Sequence, residues 1–331
     1  MSDKLINISF FIRNSKSGFS IEKVFKPIIA LNQKHSKVYY APCHKADIIS
    51  ILKNLIFVRK NRNKAGINHM TGGPQYFTIA LKDCKNVLTI HDLVLLDQYK
   101  GWKRSLFRYF WFSLPLKYAS AITCISETTR LRLLKEFNLS PEKVCTIYNP
   151  IEDSYKPNPK IFNNNYPTIL HIGTAWNKNL ERTIEAIKTI SCRYVIIGEV
   201  DDLIIQKMKD FNIDFVIKKN LSDEELYNEY CKCDIVSFPS IYEGFGMPII
   251  EGQAIGRPVL TSDINPMKEI SHNAACLVNP NDIGSIRDGF LKIIQQEDYR
   301  QELIEKGFQN AKKFSATIIN EQYSKIYKSL L

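Results

Sequence analysis

The residues best placed to do chemistry run from Ser240 to Glu251, where Ser-Ile-Tyr-Glu-Gly-Phe-Gly-Met-Pro-Ile-Ile-Glu follows a short apolar run ending at Phe238. This order predicts a strand, a loop and a helix start. Gly244 and Gly246 let the backbone approach a ligand closely, Pro248 suits a first helical turn, and the open amides of such a start bind anions. Phosphate is the expected guest. Glu243 falls in the loop and Glu251 in the helix, so the two carboxylates would hold separate parts of an elongated ligand, a spacing that suits sugar and ribose hydroxyls. In the first half of the chain, His91 closes the buried run Val-Leu-Thr-Ile-His-Asp, and Asp92 either caps the next helix or orients the imidazole. The turn Asn68 to Gly73 also follows a strand pattern and is a second candidate for lining a cleft.

Those residues need a scaffold that presents strand ends, and the chain supplies one. Short runs rich in Ile, Val and aromatics alternate with longer amphipathic segments, as parallel strands joined by crossover helices do, so the class is α/β. Strands are expected at 6–12, 37–40, 66–69, 87–90, 121–124 and 144–147, with helices at 21–33, 47–62, 103–118 and 128–137. A second set follows, with strands at 168–172, 194–197, 214–217, 235–238, 258–260 and 275–278, and helices at 179–190, 201–211, 223–232 and 248–255. Between the sets lies a Pro- and Asn-rich stretch with turn character. The expectation is a Rossmann-like domain over 1–150, a linker over 151–165, a second Rossmann-like domain over 166–315, and a C-terminal helix over 316–331 that can cross back to the first domain. Two doubly wound halves would face each other across a cleft, with ligands beyond the carboxyl ends of the strands.

On these motifs the chain resembles glycosyltransferase family 4, the retaining transferases of GT-B fold that use nucleotide-activated sugars. The family's pair of glutamates with seven residues between them stands here as Glu243 and Glu251, and its helix and next strand as Glu-Gly-Gln-Ala-Ile-Gly-Arg-Pro-Val-Leu-Thr-Ser-Asp. The resemblance implies that Glu243 and the amides of Gly244, Phe245 and Gly246 contact the donor sugar, Met247 and Pro248 the diphosphate, and Glu251 the ribose. The segment His-Ile-Gly-Thr-Ala-Trp-Asn-Lys-Asn-Leu is similar to the family's Gly-Arg and Lys-Asn loop, which implies donor contacts at Gly173 and Thr174 and a diphosphate-binding Lys178. Thr174 stands where many members carry Arg, and Arg182 and Arg257 are the other candidates for the missing cation. His91 resembles the family's donor-contacting histidine, and Gly18 sits where the family has a Gly-rich loop approaching diphosphate and acceptor. Ser126-Glu127 reads as a helix cap and also resembles a turn near the donor.

Retention at the anomeric carbon needs no evident protein nucleophile, so the implied catalytic groups, Glu243, Lys178 and His91, act by positioning and charge stabilisation. The resemblance implies a metal-independent hexosyltransferase with no cofactor, a nucleotide diphosphate-sugar as co-substrate, and a glycan acceptor, lipid-linked, in cell-surface polysaccharide or lipopolysaccharide synthesis. A sugar-nucleotide epimerase of GT-B fold is the alternative within enzymes. A non-catalytic nucleic-acid-binding protein is the alternative outside them.

Composition narrows the rest. With 331 residues, 44% hydrophobic and 24% charged, the chain is neither disordered nor fibrous, and no apolar run is long enough to span a bilayer. Eight scattered Cys give neither a disulfide framework nor zinc spacing, and the first residues lack the apolar core of a secretory signal, so a cytoplasmic location is expected. Residues 1–150 carry 24 Lys and Arg against 9 Asp and Glu, a formal +15, whereas residues 151–331 carry 21 against 25, or −4. The first half therefore expects an anionic partner. Its basic segments are 59–64 and 100–112, and in the second the aromatics Phe107, Phe110 and Trp111 recur at helical spacing beside Lys103, Arg104 and Arg108. Such a helix either fills a core or lies on an anionic membrane surface, which would make the protein peripheral on the inner face of the cytoplasmic membrane. The chain has no recognisable nucleic-acid-binding pattern, so nucleic acid is not an expected partner.

Overall fold

A computed structural model describes residues 6–17 and 20–331. The chain divides into two compact units, one made of residues 1–152 with 315–331 and the other of residues 153–314.

In the first unit, among the described residues, six parallel strands run β1 (Ile8–Ile12), β2 (Ser36–Tyr40), β3 (Ile67–Met70), β4 (Asn86–Ile90), β5 (Ala121–Cys124) and β6 (Val144–Thr146). Their order in the sheet is β2-β1-β3-β4-β5-β6, with Ile8 registered on both Ser36 and Ile67. β1 and β4 are buried at every position, as strands covered on both faces must be. Val58, Phe112, Leu116 and Leu133 from the crossover helices fill one face, and Ile21, Phe25 and Ile28 with Ile319, Tyr323 and Tyr327 of the helix Ala316–Leu330 fill the other. The last helix thus completes the first unit. Its Tyr327 hydroxyl lies 2.6 Å from His69 Nδ1, and His69 Nε2 lies 2.8 Å from Thr89 Oγ1.

The second unit repeats the plan with β7 (Thr168–Ile172), β8 (Arg193–Ile197), β9 (Asp214–Lys218), β10 (Ile235–Phe238), β11 (Val259–Ser262) and β12 (Cys276–Val278). The order is β12-β11-β10-β7-β8-β9, parallel throughout. β7 and β10 are neighbours whose connections leave in opposite directions, which opens a crevice at their carboxyl ends. The helix Met247–Ile255 beside it is buried from Ile249 to Ile255, so it is enclosed on all sides rather than amphipathic.

One expected helix is built differently. The span 103–118 comes as Gly101–Arg108, a π turn Tyr109–Ser113 in which Leu114 N donates to Tyr109 O, and Leu114–Tyr118. Pro115 has no N–H to give the Trp111 carbonyl, and the ladder widens just before it. The aromatic stripe also splits. Phe107 stacks on Trp111 at 5.3 Å and both pack against the core, whereas Trp102, Leu106, Tyr109 and Phe110 are exposed.

Two buried histidines give the fold a pH dependence. Burial pushes His69, and likewise His171 in the second unit, down to about 3, so both remain neutral in the folded chain and titrate near 6.5 once unfolded. Their contribution is complete above pH 6.5 and is lost as pH falls towards 3. Urea unfolding at pH 5 is expected to show about 2 kcal/mol less stability per ring than at pH 7. A flat profile between those pH values would contradict the neutral buried rings.

Candidate active site

The loop after β7 begins at Gly173, where φ is +87° and a Cβ would stand 3.0–3.3 Å from the Lys178 side chain, so glycine leaves the lysine its path. A single turn, Trp176–Lys178, ends at Asn179 in the left-handed region, and the helix Leu180–Ile187 follows. The buried Asn179 amide donates to the carbonyls of Pro239 (3.0 Å) and Pro280 (2.7 Å), fixing this loop to the segments after β10 and β12. Asn177 adds a second seam. Its Nδ2 donates to Tyr242 O (2.8 Å) and to Glu243 Oε1 (3.1 Å), while its carbonyl accepts from Ile241 N (2.8 Å).

These seams bring Lys178 Nζ to 2.6 Å from Glu243 Oε1, with the ammonium 4.7 Å from the centre of the Phe238 ring. The two side chains are 22% and 14% exposed, so the pair is shielded yet reachable. Gly244 follows, then Phe245, whose ring is buried against Phe314. Gly246 (φ +120°) is the N-cap of the helix that starts with Met247 and Pro248, so the helix's first amide, that of Met247, lies four residues beyond Glu243, and Pro248 has no N–H to add. Glu251 is 6% exposed and its Oε2 accepts from the Tyr230 hydroxyl at 2.5 Å, which places that carboxylate below the surface of the site. Thr174 packs beside Gly198 and lines a cavity of about 710 Å³ with Trp176, Arg182 and Glu199.

The two alternative cations differ. Arg257 is buried and donates to the carbonyls of Tyr230, Cys231 and Asn158, which commits it to structure. Arg182 donates to Asn179 Oδ1 at 3.0 Å and so steadies the β7 loop.

In the first unit, His91 follows β4, and its Nε2 lies 2.7 Å from the Thr71 carbonyl. A carbonyl can only accept, so Nε2 carries the proton and Nδ1 of the neutral ring is a bare acceptor. Burial, with Arg13 adding to it, lowers this histidine below its ordinary range against the opposing Thr71 carbonyl and Asp92. Gly72 seats the ring: at φ +117° a Cβ would come within 2.3 Å of His91 Cδ2, closer than any side chain tolerates. Asp92, one residue before the N-cap Leu93, accepts from Val94 N at 3.0 Å at the start of the next helix, and Ser126 Oγ caps the helix Glu127–Phe137. Asn68 and His69 are buried in structural hydrogen bonds, so of the Asn68–Gly73 turn it is Thr71 and Gly72 that serve His91. Gly18 lies outside the described residues. Among the described residues no three His, Cys, Asp or Glu side chains cluster as a metal site would require.

Two parallel doubly wound units, each with polar groups at its strands' carboxyl ends, are the architecture of the GT-B fold. The family model for glycosyl transferases group 1 matches residues 155–310, and that for glycosyltransferase family 4 matches residues 34–155. The chain belongs to glycosyltransferase family 4. It is 28% identical to the O-antigen chain mannosyltransferase RfbU of Salmonella typhimurium over 64% of this chain and 61% of that one. It is also 28% identical to an uncharacterized glycosyltransferase of Methanocaldococcus jannaschii, over 93% of this chain and 87% of that one. The fold matches that of Anabaena HepE, crystallised with UDP and glucose, at a TM-score of 0.77 and 14% identity over 98% of this chain and 100% of that one.

Asn177 and Asn179 are the residues that sequence reasoning passes over. An Asn on each side of Lys178 in a strand-to-helix loop is the signal that was present. The seat of His91 makes a direct prediction. Nitrogen-15 NMR at pH 7 should show His91 neutral with the proton on Nε2, becoming imidazolium only below pH 6.5. A ring already charged at pH 7, or protonated on Nδ1, would overturn the assignment.

Proposed function

We propose that this chain is a retaining hexosyltransferase that moves a sugar from a nucleotide diphosphate-sugar to a glycan acceptor, lipid-linked, in cell-surface polysaccharide or lipopolysaccharide synthesis, without a bound metal or other cofactor. The observation that carries the reading is the junction in the second unit, where an ammonium, a carboxylate and a helix start meet within one pair of laced loops. Lys178 and the first amides of the helix Met247–Ile255 offset the charge that builds on the diphosphate as the bond from the anomeric carbon to its oxygen breaks. Glu243 accepts from donor-sugar hydroxyls, with Gly244 and the amides of Phe245 and Gly246 beside it. Glu251, oriented by Tyr230, serves the ribose. Gly173 and Thr174 border the donor in the second unit, and in the first unit the bare Nδ1 of His91 is an acceptor for a hydroxyl. The name of the Salmonella relative and the ligands of the Anabaena structure are the support from outside this chain.

The first unit adds a membrane reading. No helix among the described residues is long and apolar enough to cross a bilayer. Yet Trp102, Leu106, Tyr109 and Phe110 are exposed beside Lys100 and Lys103, and Ile48, Ile49, Leu52 and Ile56 form a second exposed stripe beside Lys45 and Lys53. Tyr76 links the two carriers, bonding Asn54 of one and contacting the Trp111 ring of the other. This apolar surface rimmed with lysine suits peripheral attachment to anionic lipid at the inner face of the cytoplasmic membrane.

A thermal-shift panel of GDP, UDP, ADP and dTDP tests the donor reading. One diphosphate should raise the melting temperature, since a ligand at about a hundred times its Kd adds about 2.7 kcal/mol. Lys178→Ala should lose that stabilisation, and Lys178→Ala and Glu243→Ala should each cut sugar transfer by about 10² or more. Wild-type turnover in the Lys178 variant would remove its role, and NMR of the product anomer decides retention. Flotation with phosphatidylglycerol vesicles should fall in a Trp102→Ser/Phe110→Ser variant and at high salt; unchanged flotation would remove the membrane reading.

A further inference from the structure

The basic run 59–64 has no part in the chemistry above, yet it borders a cavity of about 430 Å³ at the amino-terminal ends of β1 and β2. This is the opposite end of the sheet from His91. The turn Gln33–His35 supplies Lys34 and His35, β2 begins with Ser36 and Lys37, and the end of the helix Ile48–Asn61 leads into Arg62. Among the described residues the lining holds three permanent cations, Lys34, Lys37 and Arg62, and no carboxylate. Neither Lys34 nor Lys37 has an acidic partner among the described residues, unlike Lys207 in the cavity of the second unit. Arg62 has Asp83 as a distant partner at 3.8 Å, and its Nε is buried without a hydrogen bond.

The cavity is also held in shape. Asn63 accepts from Ala65 N (3.1 Å) and Gly66 N (2.8 Å), donates to Asn7 O (3.1 Å), and exchanges two further bonds with Asn68. Asn32, just before the Lys34 turn, is tied to Asn320 at 2.6 Å. Like charges gathered on a rigid frame repel one another, and an anion among them relieves that repulsion. The larger cavity of the second unit is the reverse case: Glu181, Glu185, Glu199 and Asp201 line it, and its Lys207 is paired with Glu185 at 2.9 Å.

We propose that the unit 1 cavity is a second ligand site, separate from the transfer chemistry, that takes the phosphate of a soluble phosphorylated saccharide. The cations hold the phosphate. A volume of about 430 Å³ leaves room for a sugar ring beyond it, and the half-buried Ser36 and Asn61 side chains offer polar partners to that ring.

Isothermal titration with glucose 1-phosphate, inorganic phosphate and glucose tests this on the full chain. Glucose 1-phosphate should bind with one-to-one stoichiometry to both the wild type and Lys178→Ala, inorganic phosphate more weakly, and glucose not at all. In Lys34→Glu/Lys37→Glu, both exposed positions, the affinity should fall at least tenfold while the melting temperature without ligand stays unchanged. Arg62→Gln should weaken it as well. Binding lost in Lys178→Ala but kept in the lysine pair variant would put the ligand on the β7 loop and overturn the proposal. So would equal binding of glucose, or an affinity indifferent to charge reversal. Vesicles of phosphatidic acid separate the sources: if the lysine pair variant loses vesicle binding and glucose 1-phosphate binds neither protein, the anion is a lipid headgroup and the soluble-ligand proposal fails. The donor reading does not depend on the result, because its own test is read at Lys178.

Discussion

An ammonium and a carboxylate held 2.6 Å apart, each largely out of water, are the contact around which the second unit's loops are arranged. Removing two charges from solvent is costly, and a partly buried pair repays that cost only when its remaining hydrogen-bonding capacity is met. Here Asn177 donates to the same carboxylate oxygen and the Phe238 ring lies beneath the ammonium. Asn179 then fixes the backbone that carries the lysine to two other strand ends. The loops that carry the two charges are therefore fixed by their own hydrogen bonds before a ligand arrives.

The parallel sheet explains why so few residues can do this. In a doubly wound sheet every crossover returns through a helix, so the loops that gather at one place are those at the strands' carboxyl ends. The Lys178 loop follows β7 and the Glu243 loop follows β10, and these strands are hydrogen-bonded neighbours. In the first unit His91 follows β4, and the Thr71 carbonyl that fixes its tautomer follows β3, again an adjacent strand. Adjacency in the sheet replaces proximity in sequence: 20 residues separate Thr71 from His91 and 65 separate Lys178 from Glu243.

That same geometry sets what could be read from the sequence. Strands buried on both faces announce themselves as continuous β-branched and aromatic runs, so β1, β4, β7 and β10 were legible together with the loops after them. The Gly-rich turn and the Lys178 loop were legible because they depart from those runs at fixed points. Less visible was anything set by a tertiary partner. The short helices Phe77–Ala80 and Met267–Ser271 have too few residues to show a period. Phe107 and Phe110 look alike in sequence, yet one faces the core and the other solvent, because the π turn changes the angle between them. Glu251 reads as an open site carboxylate, whereas one of its oxygens is taken by the hydroxyl of Tyr230, 21 residues earlier.

The fate of Arg257 bears on how the proposed transfer is balanced. A nearby strand entry made this arginine a candidate for the cation missing at Thr174, but three backbone carbonyls hold its guanidinium inside the second unit. Within that unit, the proposed transfer would leave charge on a departing diphosphate to Lys178, the helix start and whatever Arg182 contributes while bonded to Asn179. Lys178 already has Glu243 as its counter-ion, so an incoming diphosphate competes with a carboxylate for one ammonium. The diphosphate carries more charge and meets the helix amides as well, and it wins that competition best when Glu243 gains sugar hydroxyls in exchange. A bare nucleoside diphosphate offers no such exchange. On the proposed reading, the same pair would favour the intact sugar nucleotide over its spent product, a preference built from one lysine, one glutamate and the loops that hold them together.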